Sequence, residues 1–225
     1  MPITDEINKL FTNEYTKICE VRKMIKEIKN DSDKAEKYNS ELSKLQIFEH
    51  NLRGKYRSKE INLINMLKGK LAISGRPGIN KIKELKNIDI IVSLLKHKEK
   101  DVLELGEEIQ ANGIVWIWFP LAASNLPKTE DMKIKVIKLY AKLKMELENQ
   151  KTIMIHCAAG VHRTGAFTNG LLRFCGFSKE KSKLLIKEMR EVTAREAFAK
   201  HWNWSEQLIS SFMSNSLNDP INKLI

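Results

Sequence analysis

Residues 152–165 have the sequence TIMIHCAAGVHRTG, and this stretch decides the fold. The apolar and β-branched residues of 152–156 predict a short buried strand. The apolar pattern of 166–174 predicts a helix. Small residues therefore form a loop that joins the end of a buried strand to the beginning of a helix.

A loop of this kind is suited to binding an anion. It presents several backbone N–H groups to one point, and the dipole of the helix adds to their attraction. Gly160 can adopt the positive φ that such a nest of amides commonly needs. The sequence predicts a phosphate-binding loop made of Cys157, Ala158, Ala159, Gly160, Val161, His162 and Arg163.

Cys157 and Arg163 carry the predicted chemistry of the loop. The field that binds an anion also favours a thiolate, so we expect Cys157 to be substantially ionised near neutral pH. The planar guanidinium of Arg163 can bind two phosphoryl oxygens, and Thr164 can donate its hydroxyl to the sulfur. This set predicts two-step phosphoryl transfer through a cysteinyl-phosphate. A buried structural thiol is the alternative, but it gives no reason for the glycine, arginine and threonine.

The string HCAAGVHRTG at 156–165 resembles the signature of cysteine-dependent protein tyrosine and dual-specificity phosphatases. The stretches LAISGRP at 71–77 and WFPL at 118–121 are similar to parts of atypical dual-specificity domains. The resemblance covers roughly residues 60–210. It implies metal-independent hydrolysis of a phosphate monoester with no cofactor, and it implies that His156 braces the loop through hydrogen bonds.

The general acid of that family is missing from its expected place. Family members carry an aspartate shortly after the Phe-Pro pair, and the aligned residue here is Ala123. A general acid typically contributes about 10²–10⁴-fold to the rate. Asp131 is the candidate replacement, and Glu130 lies beside it. Both residues also suit the first turn of a helix, where the dipole favours acids.

Three interpretations of this departure stay open. In the first, the enzyme is an ordinary dual-specificity phosphoprotein phosphatase that uses Asp131 or Glu130 after a loop movement. In the second, the substrate has a leaving group that needs little protonation, as in an inositol pyrophosphate or an RNA 5′-triphosphate. In the third, the protein is a slow or inactive phosphate-binding module, although the joint presence of Cys157, Arg163 and Thr164 argues against this. A phosphoinositide is a further alternative, but the loop lacks the lysines that often serve lipid substrates in this superfamily.

His162 has two interpretations of its own. A plant and fungal atypical group that acts on inositol pyrophosphates has histidine at this position, which favours contact with the substrate. A side chain that points outward without a role is the alternative. The tryptophans are expected to be core or rim residues rather than a platform for nucleic acid.

The predicted architecture is an α/β fold with a largely parallel central sheet flanked by helices. Strands are predicted at 70–74, 88–94 and 114–121, and an amphipathic helix at 131–147. Ser178 is predicted to cap one helix, and Thr193 with Glu196 to form a capping box for the last. Residues 56–225 are assigned to the phosphatase domain.

Residues 1–55 are assigned to an N-terminal helical extension. Apolar residues recur at helical spacing from Ile7 to Ile28 and from Ala35 to Phe48, which predicts a helical hairpin. Its apolar stripes either pack on the domain that follows or form a dimerisation arm.

The composition of the chain indicates in which compartment the protein works and what kind of partner it binds. The formal net charge is +11, most basic residues are lysines, and the chain has three cysteines without a disulfide or zinc spacing. We expect a cytoplasmic, reducing compartment, because neither a signal peptide nor a membrane-length apolar run is present. The composition also suits a microbe or an effector delivered into a host cell. The charge is either a solvated surface or an attraction for anionic phosphorylated substrates or an acidic membrane.

Overall fold

The computed structural model describes residue 5 and residues 14–31, 39–56, 61–99, 101–122 and 126–216. The chain divides into two compact units, Met1–Ser58 and Lys59–Ile225. No helix in these described ranges is long and apolar enough to cross a membrane. The assignment of 1–55 and 56–225 as separate domains stays a prediction.

The described residues of the first unit form two helices, α1 (Glu14–Lys29) and α2 (Asn39–Tyr56). Val21, Ile28 and Leu45 form a small buried cluster, so apolar residues of both predicted stripes pack on each other. The parts of the stripes at 7–13 and 32–38 lie outside the described residues.

The second unit is built around a five-stranded sheet with the order β1-β2-β5-β3-β4. The strands are β1 (Ile64–Met66), β2 (Gly69–Ser74), β3 (Ile90–Ser93), β4 (Val115–Trp118) and β5 (Thr152–His156). Strands β2 to β5 run parallel, whereas β1 pairs antiparallel with β2. The prediction of a largely parallel sheet flanked by helices is therefore confirmed.

Helices cover both faces of this sheet. They are a 3₁₀ helix (Ile79–Glu84), α3 (Val102–Ala111), α4 (Glu130–Glu148), α5 (His162–Phe174), α6 (Lys179–Met189), α7 (Glu191–Glu196) and α8 (Ala199–Ser216). Side chains alternate along β5, so Ile153 and Ile155 pack with α4, α5, α6 and α8, while Met154 packs with α3 and the 3₁₀ helix. Burial on both faces explains why β5 is apolar throughout.

The carboxyl ends of three parallel strands meet at one edge. Ser74 of β2 and Ser93 of β3 both lie opposite His156 of β5 in the strand register. Open α/β sheets bind ligands at this edge. The sheet thus places the 157–161 loop where the end of β2 and the end of β3 can both contact it.

Two local predictions can be compared with the structure. Ser178 caps α6, because its Oγ accepts a hydrogen bond from the Lys181 amide at 3.2 Å. The prediction of a capping box at Thr193 was wrong, because Thr193 lies inside α7 and its hydroxyl donates to Gly160 O. Strand β1 was not predicted, because the two central residues of the turn into β2 are Leu67, with a φ of 55°, and Lys68, where Asn or Gly would mark a hairpin.

Candidate active site

Helix α5 begins at His162, four residues before the predicted start. The Gly165 amide donates to Val161 O at 2.8 Å, so the helical bonding pattern already spans this turn. Periodicity could not show the early start, because the first turn has no apolar stripe. As a result, Arg163 and Thr164 lie in the first turn of α5 rather than in the loop.

The carbonyl groups of the loop are held from outside. Cys157 O faces His156 Nδ1 at 3.4 Å, and Ala158 O accepts from the Arg76 amide at 3.1 Å. Gly160 O accepts from the Arg190 guanidinium at 2.8 Å and from the Thr193 hydroxyl at 2.6 Å. In a trans peptide the carbonyl and the next amide point in opposite directions. The following N–H groups are therefore aimed toward the interior of the loop.

Gly160 is the residue of the loop that has to be glycine. Its φ is +69°, a left-handed conformation that side chains with a Cβ rarely adopt. A Cβ at this position would also collide with the backbone of Ser74 and Gly75. The SGRP turn after β2 therefore packs directly against the loop.

The thiol of Cys157 lies at the centre of this arrangement. The residue is 3% exposed, and its Sγ accepts a hydrogen bond from the Gly160 amide at 3.2 Å. A backbone N–H aimed at the sulfur stabilises negative charge there. The predicted nucleophile and the predicted nest of amides thus occur at one place.

Arg163 is oriented by a carboxylate that the sequence did not indicate. Its Nη1 and Nη2 donate to the two oxygens of Glu99 at 2.5 and 2.8 Å, and Nη1 also donates to Leu94 O at 2.8 Å. Burial would lower the pKa of Arg163, but the hydrogen bond with Glu99 and the neighbouring Cys157 raise it above its ordinary value. The guanidinium is thus a permanent cation beside the sulfur.

Glu99 is ionised in this pairing. Burial would raise its pKa, but hydrogen bonds from Arg163 and the Lys96 amide hold that pKa below its ordinary range. No motif marks Glu99, because it lies in the charged run Lys96-His97-Lys98-Glu99, which resembles a solvated surface. Its role depends on a contact across 64 residues of chain.

His156 occupies the bracing position that the family resemblance implies. Its ring is fully buried, with Nε2 2.6 Å from Ser93 Oγ and Nδ1 facing Cys157 O. Burial lowers the pKa of His156 to about 4, so the ring is neutral at physiological pH.

His162 does not point outward. Its ring is buried and stacks on Phe198 at 4.2 Å and on His201 at 4.9 Å, measured between ring centroids. Burial, with smaller contributions from the charges of His201, Lys200 and Arg163, lowers the pKa of His162 to about 3. The ring is therefore a packing element between α5 and α8, and contact with a substrate stays a prediction.

Arg190 and Thr193 are further residues that the sequence did not indicate. Both are buried at the junction of α6 and α7, and both donate to Gly160 O. Their positions in the sequence carry no pattern, since they act through contacts over 30 and 33 residues.

The Thr164 hydroxyl is a candidate hydrogen-bond donor. Its hydroxyl is fully buried and finds no hydrogen-bond partner among the described residues. Such a group is costly unless a partner arrives, for example a ligand or the sulfur in another state.

The candidate general acid lies on the surface. Asp131 is 72% exposed in the first turn of α4 and forms an ion pair with Lys135 at 2.7 Å. Glu130 beside it pairs with Lys133. Ala123, at the family's acid position, lies outside the described residues. In the described ranges no group of three or more metal-ligating side chains occurs.

Comparison with known proteins agrees with this geometry. A protein-family model described as "Polymorphic toxin system, DSP-PTPase phosphatase" matches residues 72–176. No curated protein matches the chain in sequence.

Solved structures share the fold. Kinase associated phosphatase, with serine in place of its catalytic cysteine, superposes with a TM-score of 0.57 at 19% identity over 68% of this chain and 94% of that one. Tk-PTP in its active form gives 0.53 at 17% identity, covering 67% and 97%. Human DUSP28 gives 0.52 at 15% identity, covering 68% and 99%. Residues 72–176 are thus similar to dual-specificity phosphatases in sequence, and the second unit has the fold of the protein tyrosine and dual-specificity phosphatases.

Proposed function

We propose that this protein hydrolyses phosphate monoesters with Cys157 as nucleophile and Arg163 as phosphate clamp. The observation that carries the proposal is the 3.2 Å hydrogen bond from the Gly160 amide to Cys157 Sγ, inside a loop whose carbonyls are held outward. A thiolate and a phosphoryl group both need this concentration of N–H donors.

The reaction has two steps. The Cys157 thiolate forms a bond to phosphorus while the phosphorus–oxygen ester bond breaks, and the leaving oxygen takes up a proton. Water then attacks phosphorus, the sulfur–phosphorus bond breaks, and the thiolate, inorganic phosphate and a proton are released. The loop amides and the Arg163 guanidinium stabilise charge on the phosphoryl oxygens in both steps. The Thr164 hydroxyl donates to the sulfur as it leaves.

The substrate class we propose is phosphoprotein, as in a dual-specificity phosphatase. The family-model description, with its dual-specificity and tyrosine phosphatase terms, supports this class. The net charge of +11 favours association with a dianionic phosphate on an acidic partner. The toxin-system wording of the same description supports a target in a cell other than the producer.

A second candidate is a substrate whose leaving group departs without a proton, such as a phosphoanhydride or an aryl phosphate. Asp131 and Glu130 form ion pairs with lysines on the surface of α4. Glu99 is ionised and forms an ion pair with Arg163. His156 and His162 are neutral at physiological pH. None of these groups offers a proton beside the loop, which favours leaving groups of low basicity.

The test is phosphate release from p-nitrophenyl phosphate, a phosphotyrosine peptide, a phosphoserine peptide and inorganic triphosphate, with chelator present. Cys157→Ser abolishes turnover of every substrate if the proposal holds. Asp131→Asn removes the acidic limb of the pH profile only if Asp131 is the acid. Ala123→Asp speeds phosphoserine hydrolysis most if the missing acid sets the substrate range. A wild-type protein that binds phosphate but releases none from any substrate is a binding module instead.

A further inference from the structure

A chain of hydrogen bonds runs from β4 to the nucleophile. Trp116 Nε1 donates to Ser93 Oγ at 2.8 Å, Ser93 Oγ lies 2.6 Å from His156 Nε2, and His156 Nδ1 lies 3.4 Å from Cys157 O. Ser93 and His156 are fully buried, and Trp116 is half-buried. These hydrogen bonds connect three adjacent strands, from Trp116 within β4 to the carboxyl ends of β3 and β5.

The directions of these bonds follow from the chemistry of the partners. A carbonyl can only accept, so the proton of the ring lies on Nδ1, which faces Cys157 O. With a pKa of about 4 the ring is neutral, so Nε2 carries no proton and must accept. Ser93 therefore donates to Nε2. The oxygen of Ser93 accepts in turn from the indole N–H of Trp116, which can only donate.

This direction matters at the loop. Because the Cys157 carbonyl is drawn toward His156, the Ala158 amide of the same trans peptide points to the other side, toward the interior of the loop. The opposite tautomer of His156 would place a lone pair against the carbonyl. The carbonyl would then lose its partner, and the peptide would lose the contact that sets its rotation.

We propose that Ser93 and Trp116 are positioning residues, whose hydrogen bonds fix the tautomer of His156 and so aim the Ala158 amide at the nucleophile and its phosphate. The inference rests on the proposed function only in that Cys157 is the nucleophile. It concerns the state of the thiol before any substrate is bound, so its test does not require turnover.

A neighbouring tryptophan offers a matched control. Trp118 is also half-buried and stacks on Trp116 with 5.6 Å between ring centroids. Its indole N–H donates to Leu95 O at 2.7 Å instead of to Ser93. Trp116→Phe and Trp118→Phe therefore remove the same group from the same surface, but only the first breaks the chain to His156.

The experiment has two readouts on the full-length protein. The first is the pH at which Cys157 reaches half of its maximal rate of alkylation by iodoacetamide, measured without substrate. The second is the tautomer of His156, observed by ¹⁵N NMR on histidine-labelled protein. The variants are Ser93→Ala, Ser93→Thr, Trp116→Phe and Trp118→Phe.

We expect wild type to show the Nδ1–H tautomer. Ser93→Ala should raise the alkylation midpoint by about one pH unit and mix the tautomers, as expected when a thiolate loses an aligned donor. Ser93→Thr keeps the hydroxyl and should restore the wild-type midpoint. Trp116→Phe should give a smaller shift in the same direction, and Trp118→Phe none. If Ser93→Ala does not fold, the pair of tryptophan variants carries the comparison.

An Nε2–H tautomer in wild type would overturn the proposal. So would equal alkylation midpoints for Trp116→Phe and Trp118→Phe. Failure of the proposed function is a separate result, namely that the variants show the expected shifts of the alkylation midpoint while wild type does not turn over any phosphate ester.

Discussion

At the scale of single residues, Arg163 depends on Glu99. Both guanidinium Nη atoms donate to one carboxylate, a bidentate geometry that fixes the plane of the guanidinium. A clamp that is already oriented loses little entropy when it binds the phosphoryl oxygens. In the proposed reaction, Glu99 therefore acts through Arg163 rather than on the substrate.

Glu99→Gln keeps the shape of the side chain but removes its charge. We expect kcat/KM for p-nitrophenyl phosphate to fall about 10- to 100-fold, because a charge-assisted pair is replaced by a weaker neutral contact. Glu104, exposed on α3, provides the control, and Glu104→Gln should leave the rate unchanged. Equal rates for the two variants would contradict the role of Glu99.

His162 makes the folded protein sensitive to acid. Its pKa is about 3 in the fold and near 6.5 when unfolded, so the unfolded state takes up the proton first. Stability is therefore lost as the pH falls from about 6.5 toward 3. At pH 5 this single group costs about 2 kcal/mol of unfolding free energy relative to neutral pH.

His162→Phe keeps an aromatic ring in contact with Phe198 and His201 but cannot titrate. Urea unfolding at pH 7 and pH 5 should show a smaller loss of stability for this variant than for wild type. His97, which is exposed, is the control, and His97→Gln should retain the wild-type difference. A variant with an unchanged difference between the two pH values would refute the assignment.

Residues within the loop were predictable, and their partners were not. Cys157, Gly160 and Arg163 all lie within residues 157–163, so their spacing alone indicates an anion site between a strand and a helix. Glu99, Arg190 and Thr193 reach the site through tertiary contacts over 64, 30 and 33 residues. The sequence pattern of a charged run or of a helix junction does not depend on whether the fold brings that segment to the loop.

At the scale of elements, the loop is a turn held between the end of β2 and the α6–α7 junction. Gly160 combines a positive φ with close contact to the Ser74 backbone, and its carbonyl is held by Arg190 and Thr193. The ends of β2, β3 and β5 were predicted within a few residues, because burial on both faces makes these strands largely apolar. The start of α5 was predicted four residues too late, because the first turn of this helix has no apolar periodicity in its sequence.

Gly160→Ala should be much more damaging than Gly113→Ala. Gly113 has a φ of +75° with open space around its Cβ, so its substitution measures the backbone cost alone, about 1–2 kcal/mol. Gly160→Ala adds a collision with the backbone and should also abolish binding of inorganic phosphate. Thermal unfolding and phosphate titration of both variants provide the measurement. Similar behaviour of the two would show that the loop is not held against β2.

At the scale of the whole molecule, every residue of the candidate site belongs to the unit Lys59–Ile225. The residues involved are drawn from the strand ends, the 94–99 segment, α5 and the α6–α7 junction. We expect a protein of residues 59–225 to hydrolyse p-nitrophenyl phosphate with the kcat of the full chain. Loss of turnover in a truncated protein that is folded by circular dichroism would assign residues 1–58 a part in catalysis.

The central claim is that phosphate passes through a covalent bond to Cys157. The most direct measurement is rapid denaturation during turnover of p-nitrophenyl phosphate, followed by mass spectrometry of the peptides. We predict a phosphate on the peptide that contains Cys157 in wild type, and none in Cys157→Ser, which should not turn over. Phosphate on any other residue, or turnover by Cys157→Ser at the wild-type rate, would contradict the account.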